Sequence, residues 1–138
     1  MITPEDFSFV YNIVSGIEIL CNDYNSLLDL KEFYRNKLEP VCPECYGLYE
    51  LLIERIHSLK YTLISIVTEV IVYGRISRDD LEYFNATFRD IVSIYSSLRS
   101  YRPPLPEEGV EIIGKIYESH IERYRRLVND VNQLASML

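Results

Sequence analysis

Apolar residues recur along this chain at alternating steps of three and four, the spacing that gathers side chains on one face of a helix. The first segment reads Phe7, Val10, Val14, Ile17, Cys21, Tyr24 and Leu28, with a flanking row at Ile13, Leu20, Leu27 and Tyr34. The second reads Tyr49, Leu52, Ile56, Leu59, Leu63, Ile66, Val70 and Tyr73, and the third Leu81, Phe84, Phe88, Ile91, Tyr95 and Leu98. The fourth runs Val110, Ile113, Tyr117, His120, Tyr124, Leu127, Val131, Leu134 and Leu138. "YTLISIVTEVIVY" in the second segment is rich in β-branched residues and by itself suits a strand. Its seam, however, continues from Tyr49, and Glu50, Glu54, Ser58, Thr62, Ser65 and Glu69 form the opposite polar stripe, so a helix is expected.

The punctuation agrees with the periodicity. Thr3-Pro4-Glu5-Asp6 and Ser77-Arg78-Asp79-Asp80 read as capping boxes, with a carboxylate three residues after the hydroxyl. Pro40 and Pro43 bracket the second start, Gly74 closes the second segment, and Pro103, Pro104 and Pro106 stop the third. Helices are therefore expected over about 4–38, 43–73, 78–101 and 106–137. Long helices with short connections must lie antiparallel, which predicts an all-α, up-down-up-down four-helix bundle roughly 40–50 Å long. The 138 residues form one domain on this reading.

Composition narrows the function classes. The net charge is −7, and residues 1 to 30 hold Glu5, Asp6, Glu18, Asp23 and Asp29 with no Lys or Arg. Phosphate backbones need a basic stripe, so direct nucleic-acid binding is disfavoured. The one basic cluster, Arg123, Arg125 and Arg126, lies towards a helix C-terminus, where cations suit the macrodipole. The N-terminus lacks the basic and apolar run of a signal peptide. The most apolar stretch, Tyr61 to Tyr73, carries Glu69 and is too short to span a bilayer. A cytoplasmic protein without a membrane partner is expected.

Three sets of residues could carry chemistry. Cys42 and Cys45 form a C-x-x-C at the start of the second helix. His57 lies roughly 18 Å down the helix from Cys45, so the pair cannot complete a four-ligand zinc site. Free thiols serving as helix-start residues are the favoured reading, and a Cys42–Cys45 disulfide the competing one. Cys21, His57 and His120 fall at nearly one height, with Glu54 one turn from His57, so a bundle metal layer is conceivable. A diiron site would need a second Glu-x-x-His step, and Tyr117 stands where its Glu would be. The competing reading makes Cys21 a small core filler and His120 a buried histidine bonded to Tyr24 or Tyr124. "YRPPLP" at 101–106 reads as a helix stop and start rather than a polyproline ligand. Twelve tyrosines, several off the seams, suit either a protein interface or bundle filling. No cofactor is implied.

High Ile and Tyr, a single Gln (Gln133), no Trp and an acidic, short, all-helical pattern run through the whole chain. In these features it resembles small proteins of crenarchaeal viruses, which include bundle coat proteins and a related inhibitor of host RNA polymerase. The resemblance implies a structural or inhibitory role. The expected function is thus non-enzymatic: a structural subunit, or an acidic inhibitor meeting a basic partner through Glu5, Asp6, Glu18, Asp23 and Asp29. Self-association through an apolar surface of the first or second helix is a further expectation. The alternative is a small metal- or thiol-dependent enzyme using the Cys21/His57/His120 layer or the cysteine pair.

Overall fold

The structure is a computed structural model that describes residues 4–100 and 107–138, with side chains described for 7–100 and 118–138. Four helices follow one another: α1 Pro4–Leu38, α2 Pro43–Tyr73, α3 Arg78–Ser100 and α4 Glu107–Met137. They form a bundle in which α1 packs on α2 and α4, and α3 on α2 and α4. Cross-contacts run in opposite directions along each neighbouring pair. Tyr24 meets His57 while Tyr34 meets Tyr49, and Asn85 pairs with Asn132 while Tyr95 pairs with His120. The neighbours are therefore antiparallel, as short connections require.

Local chemistry explains the ends. Cys42 caps α2, its sulfur accepting from Cys45 N at 3.2 Å, and Pro43 opens the first turn. Gly74 ends α2 at φ 67° and donates its N–H to Val70 O at 3.0 Å, a left-handed cap that costs a residue with a Cβ. Ser77 caps α3, its hydroxyl accepting from Asp80 N at 3.2 Å. The reciprocal half of that box differs from expectation, because Ser77 N donates to Glu69 of α2 at 2.8 Å. Thr3 and the "YRPPLP" stretch lie outside the described residues.

Among the described residues the seams of α2, α3 and α4 supply much of the core, with Leu52, Ile56, Leu59, Leu63, Ile66, Phe84, Ile91, Tyr124, Val131 and Leu134 all buried, although Leu138 is exposed. Tyr73, expected on the seam, is exposed at the end of α2. The larger correction concerns α1. Of its first row only Val10 is buried, while Phe7, Val14 and Leu28 are exposed and Ile17, Cys21 and Tyr24 half-buried. The helix instead buries the flanking row, Ile13, Leu20, Leu27 and Tyr34.

From Ile13 to Leu27 that inner row keeps steps of three and four once Gly16 and Asp23 are counted in it, and both are buried. Gly16 lets α4 close in: a Cβ there would stand 2.5 Å from Leu127 Cδ1. A glycine and an aspartate made the true seam look less apolar than the outer one. Helix α2 also differs from expectation: it is long and apolar enough to cross a membrane by length and composition, although its inner side packs against α1 and α3.

Candidate functional site

A polar cluster sits inside the bundle at mid-height. Asp23 of α1 takes the d-like position between Leu20 and Leu27, which turns it inward to face α4. Tyr124 donates its hydroxyl to Asp23 Oδ2 at 2.7 Å. His120 Nε2 stands 3.3 Å from Oδ1, and Arg123 Nη2 reaches both oxygens at 3.3 and 3.4 Å. On its other side His120 Nδ1 meets the Tyr95 hydroxyl of α3 at 2.7 Å, and its ring stacks on Tyr124. From α2, Tyr49 donates to Leu27 O at 2.6 Å. Every helix thus contributes to this level of the core.

The electrostatics follow from burial and pairing. Burial pushes the Asp23 carboxyl up, but the bonds from His120 and Tyr124 and the nearby Arg123 charge together overcome it and hold the carboxyl below its ordinary value. Tyr95 and Tyr124 are driven well above the usual phenol value, first by burial and then by the Asp23 charge. The ionised Asp23 faces His120 Nε2, and a proton on that nitrogen would leave Nδ1 free to accept from the Tyr95 hydroxyl. Such a relay could pass a proton between carboxylate and phenol. Both Asp23 and His120 are only 7% exposed, and the phenols are held protonated, so the cluster satisfies its own polar atoms.

The metal layer is not assembled. The height was anticipated correctly, since Tyr24 next to Asp23 touches His57 while Asp23 touches His120. The faces differ: His57 lies on the outer side of the α1–α2 pair, between the rings of Tyr24 and Tyr61 at 4.8 and 4.6 Å. Glu54 is exposed and Cys21 is a half-buried free thiol. Among the described residues no three His, Cys, Asp or Glu side chains converge to hold a metal. His120 is bonded as expected of a core histidine, though to Tyr95 and Asp23 rather than to Tyr24 or Tyr124 by hydrogen bond.

The cysteine pair is oxidised, with Cys42 and Cys45 joined by a disulfide, which corrects the expectation of free thiols. The cap and the disulfide coexist, because Cys42 Sγ still accepts the α2 N–H. The acidic set is also reduced. Asp23 is buried and partnered; Glu18 and Asp29 are exposed; the side chains of Glu5 and Asp6 lie outside the described residues. The basic cluster is divided, with Arg123 turned to Asp23 and Arg126 paired with Glu122 at 2.6 Å. One carboxyl pair went unnoticed in the sequence: Asp80 is raised by its hydrogen bond to Glu69, which Ser77 N–H in turn holds low.

Outside, the first row of α1 forms a second feature. Phe7 and Val14, in the same row as the α2-contacting Tyr24, and Tyr11 next to that row are exposed in the N-terminal half of α1. The antiparallel register brings them level with the C-terminal half of α2, where Tyr61, Ile64, Ile71 and Val72 are exposed. Residues 7–17 contain no charged side chain, and residues 61–73 contain only Glu69, which is engaged towards α3. Two shallow grooves, about 310 Å³ beside Arg55 and Asp90 and about 260 Å³ beside Gly16 and Tyr124, also mark the surface. No family model, curated protein or solved structure matches this chain.

Proposed function

We propose that this is a non-enzymatic binding or structural protein that works through the outer face of α1 and α2. The observation that carries the reading is the duplicated seam of α1. The bundle uses the inner row and takes in Val10 of the outer one, while Phe7, Val14 and Leu28 of that outer row, with Tyr11 beside them, stay exposed near the exposed apolar residues of α2. A helix that only closes a bundle needs one apolar stripe and gains solubility from polar residues elsewhere. A second stripe is explained by a second contact.

The interior supports the same reading from the other side. The polar groups of the Asp23 cluster are mutually satisfied and buried, and its phenols are held protonated, which suits a cluster that specifies packing rather than one that turns over substrate. Of the two roles that the likeness to crenarchaeal viral proteins implies, the structural one fits better. An inhibitor of a basic partner needs a dense set of exposed carboxylates, and on the outer face residues 7–17 carry none while Asp23 is withdrawn into the core. The test is a paired substitution on the face, Val14→Glu with Ile64→Glu. It should abolish every complex that the protein forms in extract of its source cells, with helicity and Tm unchanged. Complexes that survive in the folded variant would refute the reading.

A further inference from the structure

We infer that the occupant of this face is a second copy of the chain, packed face to face about a two-fold axis; the inference rests on the α1/α2 reading above. Size is the first argument. Phe7, Tyr11, Val14, Tyr61, Ile64, Ile71 and Val72 are 61, 72, 45, 57, 38, 61 and 61% exposed. With the usual areas of these side chains they present roughly 700–900 Å². The largest apolar patch of an ordinary monomer is about 300–600 Å². One side of a standard stable interface is about 800 Å². The face therefore matches what one partner of a dimer brings.

Charge is the second argument. Two copies of a chain with net charge −7 repel, so they can meet closely only where the surface has no carboxylates. Residues 7–17 and the outward side of 61–73 meet that condition. Glu18, one turn on from Val14, and Lys60, next to Tyr61, bring one acid and one base to the face, so these two charges offset each other. The Lys60 ammonium lies 5.1 Å from the ring centres of both Tyr24 and Tyr61, which holds Tyr61 in place. This is an apolar centre with a polar rim, the anatomy of a protein interface. A basic partner would find no counter-charge at the centre of such a face.

Geometry is the third argument. The exposed positions Tyr61, Ile64, Thr68 and Ile71 on α2 keep the three-four spacing, as do Phe7, Tyr11 and Val14 on α1. A pair of antiparallel helices ridged in this way offers the same grooves to its rotated copy, and an isologous contact closes without leaving a free face.

Sedimentation equilibrium of the purified protein from about 1 to 100 μM tests the inference, with the variant pair Tyr11→Asp and Ile71→Asp and the control Tyr83→Asp. Tyr83 is half-exposed on α3, away from the face. The expected result is a dimer in the parent and the control, and a folded monomer in the variant pair, with dimerisation weakened at least a hundredfold. The dimer should hold or strengthen when salt is raised from about 0.05 to 1 M, since it is not charge-driven. A parent that stays monomeric throughout overturns the second-copy inference. If that monomer binds a different protein through the same face, the broader binding reading survives alone. Monomers that bind phospholipid vesicles instead overturn both, as does a parent dimer that the face variants leave intact.

Discussion

Asp23→Ala is the sharpest probe of the interior. The substitution removes the acceptor of the Tyr124 hydroxyl and the partner of His120 Nε2, at 2.7 and 3.3 Å, and frees Arg123. Arg123 is about a third exposed and can turn to water, so its share is small. The two buried donors cannot. Breaking a buried charged pair from one side costs about 3–5 kcal/mol. Against a total stability of about 5–15 kcal/mol, that is a large part of the whole. For a chain of this length the corresponding fall in Tm is roughly 10–17 °C. Asp23→Asn, which keeps the shape but loses the charge, should cost less.

The same residue sets an acid dependence. Its carboxyl is held below the ordinary value of 3.8, so the folded state binds protons less readily there than the unfolded state does. The contribution is present above the unfolded value and is lost as pH falls through the folded one. Thermal melts followed by circular dichroism from about pH 7 down to 2 should show the parent losing its advantage over Asp23→Asn below about pH 4. Equal Tm values at pH 7, or a constant gap between the two proteins down to pH 2, would refute the argument that this carboxylate is ionised and paired.

Two further outcomes follow from the helix ends. Gly74→Ala should destabilise by about 1 kcal/mol, because alanine must adopt the left-handed cap that glycine takes freely, and chemical denaturation will measure it. Cys42→Ala should cost about 1 kcal/mol more than Cys42→Ser, because both break the disulfide and only serine can still accept the α2 N–H. Equal stabilities of those two variants would show that the cap contributes nothing.

The sequence by itself determined the elements, their boundaries and their antiparallel order. Those features are local: periodic apolar residues, Gly74 at a helix end, Ser77 before a helix, and prolines between segments act over one or two turns. It also showed that α1 has two apolar rows. It could not show which row turns inward, because Phe7 to Leu28 is the more continuous of the two. That choice was made by tertiary partners, since Gly16 admits Leu127 and Asp23 meets His120 and Tyr124, residues about a hundred positions away. Asp23 is an acidic residue by composition, and only its neighbours turn it from a surface charge into a core group. The same choice placed Phe7, Val14 and Leu28 of the outer row in water, and it moved His57 and Cys21 away from His120 despite their common height. Periodicity determines how side chains are arranged around one helix; which arc faces inward depends on the shapes and charges that the other three helices present.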